Sequence, residues 1–342
     1  MGGVIMGNLL EVNDLYVSFQ TFAGEVQAVR GVSFSVAEGE AVAIVGESGC
    51  GKSVTAKTIM RLLPESMAKI KEGSIVFESM NLLELSEKEM QKVRGNDLGM
   101  IFQDPMTSLN PTMKIGQQIA EGLVKHYRFS YRDALEKAVD LLELVGIPEP
   151  RRRVKQYPHE FSGGMRQRAI IAIALACQPK LLIADEPTTA LDVTIQAQIL
   201  ELLKDLQRKL GTSLILITHD LGVVAETCER VIVMYAGKVV ETGAVSDIFE
   251  NPKHPYTKGL LKTIPKLDLD RKVPLQPILG TPPDLLDPPK GCPFAPRCPY
   301  VMNVCQQHTP ELESVNGKQE ASCWLYHPFA CDVRGESEES VG

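Results

Sequence analysis

The stretch that decides the fold of this sequence is Phe161-Ser162-Gly163-Gly164-Met165-Arg166-Gln167-Arg168. It lies between a glycine-rich loop at Gly46–Ser53 and an acidic segment at Leu181–Glu186. A glycine-rich loop alone indicates only that a nucleoside triphosphate is held. The inserted stretch adds a hydroxyl, two backbone N–H groups without side chains and the start of a helix, all suited to a second contact with a γ-phosphate.

The composition indicates a globular protein of two or three domains, because the chain has 342 residues of which 44% are hydrophobic. The net charge of -7 argues against nucleic acid as an electrostatic partner. The longest apolar run, Ala169–Cys177, is shorter than the roughly 18 residues of a membrane span. Since Met1–Leu10 lacks the pattern of a signal peptide, we expect a cytosolic chain, in which disulfides rarely persist.

Alternating strands and helices predict an α/β fold with a mostly parallel sheet that is covered on both faces. Short apolar runs predict strands at Leu10–Val17, Val29–Val36, Ala41–Val45, Ser74–Phe77, Leu98–Phe102, Leu181–Ala184, Ser213–Thr218 and Val231–Tyr235. Helical spacing predicts helices at Lys52–Leu63, Ile115–His126, Tyr131–Val145, Gly164–Cys177 and Val193–Leu210. The concentration of helices at about 105–178 predicts a helical subdomain inserted into the α/β core.

The composition changes after Gly243. Between Pro252 and Pro299 lie 12 of the chain's 22 prolines, a density that predicts neither helices nor central strands. We expect a first domain over 9–250 and an extended, proline-rich segment with a small cysteine module over 251–331. The acidic tail at 332–342 is expected to be disordered.

The glycine-rich loop matches the phosphate-binding template at every position and is preceded by a strand and followed by a helix. Its residues are Gly46, Glu47, Ser48, Gly49, Cys50, Gly51, Lys52 and Ser53, with Val54 next in the helix. Glycines let backbone N–H groups point at the β-phosphate, Lys52 reaches the β- and γ-phosphates, and Ser53 offers its hydroxyl to Mg²⁺. The identity of Cys50 predicts a reactive thiol that ATP would protect from modification.

Two carboxylates end the apolar strand at Leu181–Ala184. Asp185 stands where a carboxylate could hold Mg²⁺ through water. Glu186, one residue further, could orient and polarise the attacking water.

Taken in their order, these motifs resemble the ABC ATPases from about Leu9 to Gly243. The resemblance implies a RecA-like parallel-sheet core, an N-terminal antiparallel β subdomain and a helical subdomain. It also implies that Ser162, Gly163 and Gly164 act in trans, on ATP held by the phosphate loop of a second ATPase subunit.

Other roles rest on this resemblance. Gln103 would contact Mg²⁺ or water and relay to the membrane subunits, and His219 would reach the γ-phosphate. Asp192 would lie in the loop through which two ATPase subunits meet. Phe19 would stack on adenine, and Phe22 and Tyr16 are alternatives for this position.

Three segments are similar to the D-type ATPase of dipeptide and oligopeptide importers, a family whose architecture nickel importers share. They are His159–Arg168, Asp192–Gln198 and the residues from Asn251 to Thr257 together with the cysteine module. This resemblance implies a peripheral protein on the cytoplasmic face of the cell membrane. It would pair with a second ATPase subunit, identical or homologous, and with two transmembrane permease subunits, and an extracytoplasmic solute-binding protein would deliver the cargo.

Two other functions are weaker alternatives. Soluble ABC ATPases that act on ribosomes or DNA usually carry two cassettes or a long coiled coil, whereas this sequence has one phosphate loop and no sustained heptads. A metal-sensing regulator would use the cysteine module to govern the ATPase.

The cysteine module consists of Cys292, Cys298, Cys305 and Cys323, separated by five, six and 17 residues. Four cysteines can bind zinc or an iron–sulfur cluster, and the absence of a Cys-x-x-Cys pair favours a cluster spread over loops. Peptide-importer relatives carry a [4Fe–4S] cluster here, so the resemblance implies one, with Cys331 as a spare ligand. Zinc is the alternative, with His308 or His327 replacing one cysteine.

Overall fold

The computed structural model describes residues 7–189, 191–263, 277–327 and 330, without the side chains of residues 105 and 106. The strands in these ranges are β1 (Asn8–Thr21), β2 (Gly24–Ala37), β3 (Ala41–Val45), β4 (Ala68–Phe77), β5 (Met80–Asn81), β6 (Leu98–Ile101), β7 (Leu181–Asp185), β8 (Ser213–Thr218), β9 (Arg230–Tyr235), β10 (Lys238–Ala244), β11 (Glu313–Ser314) and β12 (Gln319–Ala321). The helices are α1 (Lys52–Ile59), α2 (Glu87–Val93), α3 (Pro105–Ser108), α4 (Ile115–Tyr127), α5 (Tyr131–Leu144), α6 (Pro150–Arg153), α7 (Gly163–Leu175), α8 (Val193–Leu210), α9 (Leu221–Thr227), α10 (Val245–Glu250), α11 (Pro255–Lys262) and α12 (Asn303–Gln307).

The strands form two sheets. The smaller is antiparallel, in the order β2-β1-β4-β5, and is built from the N-terminal part of the chain. The larger has the order β11-β12-β10-β9-β3-β8-β7-β6, in which β9, β3, β8, β7 and β6 run parallel. All five residues of β3 are buried, which confirms the prediction of a buried parallel strand at Ala41–Val45.

The helical subdomain packs its apolar stripes against one another. Helices α4, α5 and α7 contribute Ile119, Ala138 and Ile171 to one continuous core, which also contains residues of the parallel sheet. Helices α4 and α5 bury one face and expose the other, whereas α7 is buried or half-buried over most of its circumference. The bounds of all three lie within two residues of those predicted from helical spacing.

The first helix is shorter than predicted. Helix α1 ends at Ile59 rather than at Leu63, because Met60 caps it and Arg61 adopts a left-handed backbone with φ of 49°. A residue in this conformation ends the helical hydrogen-bond ladder.

The prediction that the proline-rich segment forms no helix is wrong. Helix α11 begins at Pro255, the first helical position, where proline is tolerated because the backbone N–H there has no intrahelical partner. The extension also continues the large sheet, because β12 pairs antiparallel with β10 through Glu241, Thr242 and Gly243. The extension is therefore joined to the ATPase domain by backbone pairing.

Two predictions fall outside the described residues. They concern the acidic tail at 332–342 and the spare ligand Cys331. Among the described residues, no helix is both long enough and apolar enough to cross a membrane.

A buried histidine begins helix α11. His254 is the N-cap of α11, and its Nδ1 accepts a hydrogen bond of 3.1 Å from the backbone N–H of Tyr256. Burial lowers the pKa of His254 to about 3. The unfolded chain therefore takes up a proton below its ordinary pKa near 6.5, while the folded protein does not.

The stability that His254 contributes is expected to be present above pH 6.5 and to be lost as the pH falls towards 3. Below pH 6.5 the free energy of unfolding should fall by roughly 1.4 kcal/mol per pH unit more than in His254→Asn, which keeps a capping side chain without a titrating group. Urea unfolding followed by the fluorescence of Trp324, the single tryptophan, measures this difference at pH 7 and pH 5. Equal pH dependence in the two proteins would contradict it.

Candidate nucleotide site

The glycine-rich loop lies between β3 and α1, and its glycines occupy backbone conformations that other residues rarely adopt. Gly46 and Gly51 have φ of 150° and 100°. A Cβ atom on Gly46 would lie 2.2 Å from the carbonyl oxygen of Met234, and one on Gly51 would lie 2.5 Å from that of Ala28. Glycine is required at both positions, because the loop is pressed against β9 and β2. Ser48 and Gly49 are exposed at the mouth of the loop.

Lys52 is the first residue of α1 and is only 5% exposed. Its Nζ donates hydrogen bonds of 2.8 Å to the carbonyl of Gly46 and 3.0 Å to that of Glu47. The ammonium group is thus held inside the loop whose N–H groups would surround a phosphate.

Ser53 and Asp185 connect the loop to the acidic strand. The Ser53 hydroxyl donates a hydrogen bond of 2.8 Å to Oδ1 of Asp185, which is 1% exposed. Burial raises the pKa of Asp185, and the hydrogen bond from Ser53 opposes this rise. A hydroxyl beside a carboxylate is an oxygen donor set that fits Mg²⁺.

Glu186 lies one residue beyond β7, where the ends of three strands meet. Gln103, which follows β6, donates through Nε2 to Oε2 of Glu186 at 2.7 Å, and Thr189 donates to the same oxygen at 3.0 Å. Nδ1 of His219, which follows β8, lies 3.5 Å from Oε1 of Glu186. The structure therefore brings together the three predicted catalytic residues, Gln103, Glu186 and His219.

The signature residues begin helix α7. Ser162 is the N-cap of this 13-residue helix and accepts a hydrogen bond of 3.3 Å from the N–H of Met165. Ser162 and Gly163 are exposed, while Gly164 packs so closely on Ile195 that a Cβ there would lie 2.9 Å from it. Among the described residues, no hydrogen bond joins this group to the phosphate loop of the same chain.

Asp192 begins the neighbouring helix α8. It is the N-cap of α8 and accepts a hydrogen bond of 3.0 Å from the N–H of Ile195, the residue on which Gly164 packs. The predicted subunit-contact loop and the signature residues therefore share one side of the molecule.

The three candidate adenine-stacking aromatics lie on or next to β1. Phe19 is half-buried and pairs with Val26 in β2. Ala28, two residues further along β2, packs its carbonyl against Gly51 of the phosphate loop. Phe22 is fully exposed in the turn that follows β1, and Tyr16 is paired with Arg30 in β2. The β1–β2 hairpin thus reaches the loop, and the half-buried Phe19 and Tyr16 both pair with β2 residues two positions from Ala28.

The expectation of a reactive Cys50 is corrected by its environment. Cys50 is 4% exposed, and its Sγ lies against Gly46. Burial raises the pKa of the Cys50 thiol, although the nearby Lys52 opposes this rise. Since the thiolate is the reactive form, a buried thiol with a raised pKa reacts slowly.

Comparison with known proteins agrees with this geometry. Residues 29–189 match the family model of the ABC transporter, and residues 240–305 match that of the oligopeptide/dipeptide transporter C-terminal region. The chain is 61% identical to the oligopeptide transport ATP-binding protein OppD of Bacillus subtilis, over 97% of this chain and 92% of the relative. It is 58% identical to the dipeptide transport ATP-binding protein DppD of the same organism, over 94% and 95%.

The chain belongs to the family of oligopeptide and dipeptide ABC transporter ATP-binding proteins. This peptide-transporter ATPase resembles the dimeric, post-hydrolysis ATP-binding cassette MJ0796 bound to ADP and Pi, with a TM-score of 0.62 and 29% identity over 69% of this chain and 98% of the cassette. It also resembles cbiO1 of Clostridium perfringens, part of the transporter complex cbiONQ, with a TM-score of 0.60 and 28% identity over 71% and 91%. Its fold is that of an ABC ATPase.

The C-terminal region of this peptide-transporter ATPase contacts the phosphate loop through two residues that the sequence analysis missed. The hydroxyl of Tyr256 accepts a hydrogen bond of 2.7 Å from the N–H of Glu47. Arg297 forms a bidentate ion pair with the Glu47 carboxylate, with distances of 2.6 and 3.0 Å. No spacing in the sequence signals a contact across 250 residues, although Arg297 is adjacent to a predicted ligand, Cys298.

The four predicted cysteine ligands lie in one region. Cys292 and Cys305 are buried, Cys298 and Cys323 are half-buried, and the N–H of Cys292 donates to the carbonyl of Cys305 at 2.7 Å. Burial raises the pKa of Cys292 to about 11 and that of Cys323 to about 12, and the other thiols of the module add to both shifts.

The electrostatic and the geometric observations on these thiols differ. The thiols are close enough to affect one another's pKa, yet within the described ranges no group of three or more His, Cys, Asp or Glu residues has the geometry to hold a metal ion. The mutual effect on pKa therefore places the thiols near one another without defining a ligand geometry. His308 and His327 line a cavity of about 330 Å³ together with Cys323.

Proposed function

We propose that this chain binds MgATP between its own phosphate loop and the signature residues of a second ATPase subunit. Its hydrolysis of ATP would drive the import of dipeptides or oligopeptides through two permease subunits. The observation that carries the proposal is that Gln103, Glu186 and His219 meet beside the phosphate loop. The exposure of Ser162 and Gly163 at a helix start adds to it. The high identity to peptide transport proteins favours peptides over nickel as cargo.

The phosphate loop would hold the triphosphate through its backbone N–H groups, with Lys52 moving from the carbonyls of Gly46 and Glu47 to phosphate oxygens. Ser53, Asp185 and Gln103 would supply the oxygen ligands for Mg²⁺. When bound, Mg²⁺ neutralises charge on the β- and γ-phosphates. The whole loop from Gly46 to Val54 is assigned to this half of the site, and Phe19 is assigned to adenine.

Glu186 would orient the attacking water. Its carboxylate is fixed by hydrogen bonds from Gln103 and Thr189, so the water would meet an acceptor in a defined position. His219 lies on the other oxygen of the carboxylate and would donate to the γ-phosphate.

The second half of the site would come from the partner ATPase subunit, identical or homologous. Ser162, Gly163 and Gly164 would bind the γ-phosphate held by the partner, because exposed N–H groups at a helix start attract anions. Asp192, on the same side of the molecule, would contact the partner. The cassette MJ0796, which this chain resembles, is itself a dimer with bound ADP and Pi, and this supports a two-subunit site.

Glu186→Gln tests the hydrolytic site. The amide keeps the size of the side chain but cannot accept a proton, so the ATPase rate of the assembled transporter should fall by about 10²- to 10⁴-fold. ATP binding should be retained, because Glu186 is not assigned to nucleotide affinity. Steady-state phosphate release and equilibrium binding of ATP measure the two effects. The matched control is Glu136→Gln, an exposed carboxylate paired with Arg151. A hydrolysis rate within a factor of two of the unaltered protein would contradict the proposal.

An apolar groove on the helical subdomain is the proposed contact for a permease. The groove has a volume of about 420 Å³ and runs between α4, α5 and the end of α7. Its wall includes the exposed side chains of Tyr127, Phe129 and Leu144. A cytoplasmic apolar segment of a membrane subunit would fit this surface, since soluble proteins rarely leave such groups clustered without a partner.

Replacing two of the groove's side chains tests this contact. Phe129→Ser combined with Leu144→Ser should reduce co-purification of the chain with the permease subunits, because the apolar area buried at the contact is lost. ATP binding by the isolated chain should not change. Ile70→Ser is the control, since Ile70 is an equally exposed apolar residue on β4 of the antiparallel sheet. Unchanged co-purification of the double variant would rule out the groove.

The partners outside this chain follow from its proposed place in an importer. The chain would lie on the cytoplasmic face of the membrane, and an extracytoplasmic solute-binding protein would deliver the peptide to the permeases. The net charge of -7 supports the absence of a nucleic-acid partner.

The cysteine module is proposed to hold a [4Fe–4S] cluster through Cys292, Cys298, Cys305 and Cys323. The support is the proximity of the four thiols within one short segment. Zinc is the alternative, with His308 or His327 beside Cys323.

Metal analysis distinguishes the two centres. After purification without oxygen, we expect a brown protein with about four irons and four sulfides per chain. Each single Cys→Ser change in the module should lower the iron content, because one ligand is lost. Cys228→Ser is the control, since that buried cysteine caps α9 outside the module. A colourless protein with one zinc per chain would contradict the cluster.

A further inference from the structure

The polar groups of Glu47, the second residue of the phosphate loop, are all engaged. Its backbone N–H donates to the Tyr256 hydroxyl, and its carbonyl accepts from Lys52 at 3.0 Å. Its carboxylate accepts both hydrogen bonds from Arg297. The carbonyl of Glu47 also accepts a hydrogen bond of 3.3 Å from the N–H of Cys50. Two of these four partners, Tyr256 and Arg297, belong to the C-terminal region, so the conformation of Glu47 is fixed in part from outside the ATPase core.

Arg297 is itself held rigidly. It is 4% exposed at the side chain, and its guanidinium donates to the carbonyls of Ile278 at 3.1 Å and Leu279 at 2.9 Å. It also donates to the hydroxyl of Tyr235 at 3.2 Å, and it lies 5.9 Å from the ring centroid of Phe294. A guanidinium with this many partners has one orientation, and its planar fork matches a carboxylate.

The extension contacts the region around the phosphate loop at further points. The carbonyl of Leu285 accepts a hydrogen bond of 2.9 Å from the N–H of Gln27 in β2. The carbonyl of Pro289 accepts one of 3.4 Å from Arg30, also in β2. Since β2 packs against Gly51 through the carbonyl of Ala28, the extension supports the loop from two sides.

The charge of Glu47 explains why such a support is needed. A carboxylate in a phosphate loop would repel the triphosphate if it were free, because like charges a few ångströms apart interact strongly in a partly buried site. The ion pair with Arg297 neutralises this charge and holds the carboxylate against the C-terminal extension. The bidentate geometry also limits the movement of the Glu47 backbone, which precedes the N–H groups that would bind phosphate.

We propose that Arg297 is a positioning residue of the nucleotide site: acting through Glu47, and together with Tyr256, it holds the phosphate loop in its ATP-binding conformation. The C-terminal extension thereby sets the affinity for ATP. The inference rests on the proposed function, in that the phosphate loop is taken to bind ATP.

The affinity of the full-length chain for a fluorescent methylanthraniloyl derivative of ATP tests the inference. Arg297→Met should weaken binding by about tenfold or more, because it leaves the partly buried Glu47 carboxylate unpaired. Arg297→Lys should restore part of the affinity, since it returns the charge without the fork. The double variant Glu47→Gln, Arg297→Met should also bind more tightly than Arg297→Met alone, because the unpaired carboxylate is removed. Arg151→Met, at an exposed ion pair, is the control.

Two further measurements separate positioning from general stability. Tyr256→Phe keeps the ring but removes the acceptor for the N–H of Glu47, and it should weaken binding about threefold to tenfold. In the assembled transporter, Arg297→Lys should raise the KM for ATP while kcat at saturating ATP stays unchanged. A general loss of structure would lower kcat as well. If Arg297→Met does not fold, Arg297→Lys and Tyr256→Phe carry the test.

The outcomes are distinct. Unaltered affinity in Arg297→Lys and Tyr256→Phe, or equal affinities in Arg297→Met and the double variant, would overturn the inference. Failure of the unaltered chain to bind the ATP derivative would instead overturn the proposed function.

Discussion

The parallel register of β6, β7, β8 and β3 is the constraint on which the nucleotide site depends. Ile101 pairs with Ala184, Asp185 pairs with Ile217, and Val45 pairs with Thr218. Because parallel strands end at the same edge, the residues that follow them meet there without any further element to bring them together. A slip of one residue between β7 and β8 would turn the acidic pair away from the phosphate loop.

Several charged side chains are buried at this edge of an apolar sheet. Each of them has its own polar or charged partner. Asp185 has the Ser53 hydroxyl, Lys52 has the carbonyls of its own loop, and Glu47 has a guanidinium from the C-terminal extension. Buried charges need such partners, because an unpaired one is strongly unfavourable. The positions of Asp185 and Glu47 are therefore set before any ligand binds, and the cost of ordering them falls on folding.

Sequence patterns predicted the parts of the fold that local composition controls. Strands β3 and β8 and helix α8 have the predicted bounds, since each is an apolar or amphipathic run ended by glycine or polar residues. The end of α1 was missed because it depends on the backbone conformation of Arg61. The motifs of the nucleotide site could be located because the phosphate loop, Gln103, Glu186 and His219 follow strands and Ser162 begins a helix, which local sequence patterns indicate. Contacts between distant segments were not, and the environment of Cys50 and the pairing of Arg297 with Glu47 both depend on tertiary packing.

The pairing of β12 with β10 has a consequence for how copies of this chain can meet. An unpaired edge strand of a large sheet exposes backbone N–H and C=O groups that can pair with a strand of another chain. Here β12 pairs with β10 and covers its edge. The next strand, β11, is only two residues long, and its residues Glu313 and Ser314 are exposed. A short edge strand with a charged side chain is a poor template for the pairing of further strands. Pairing of sheets from two chains is therefore disfavoured at this edge. Contacts between subunits are then left to other surfaces, such as the one that carries Ser162.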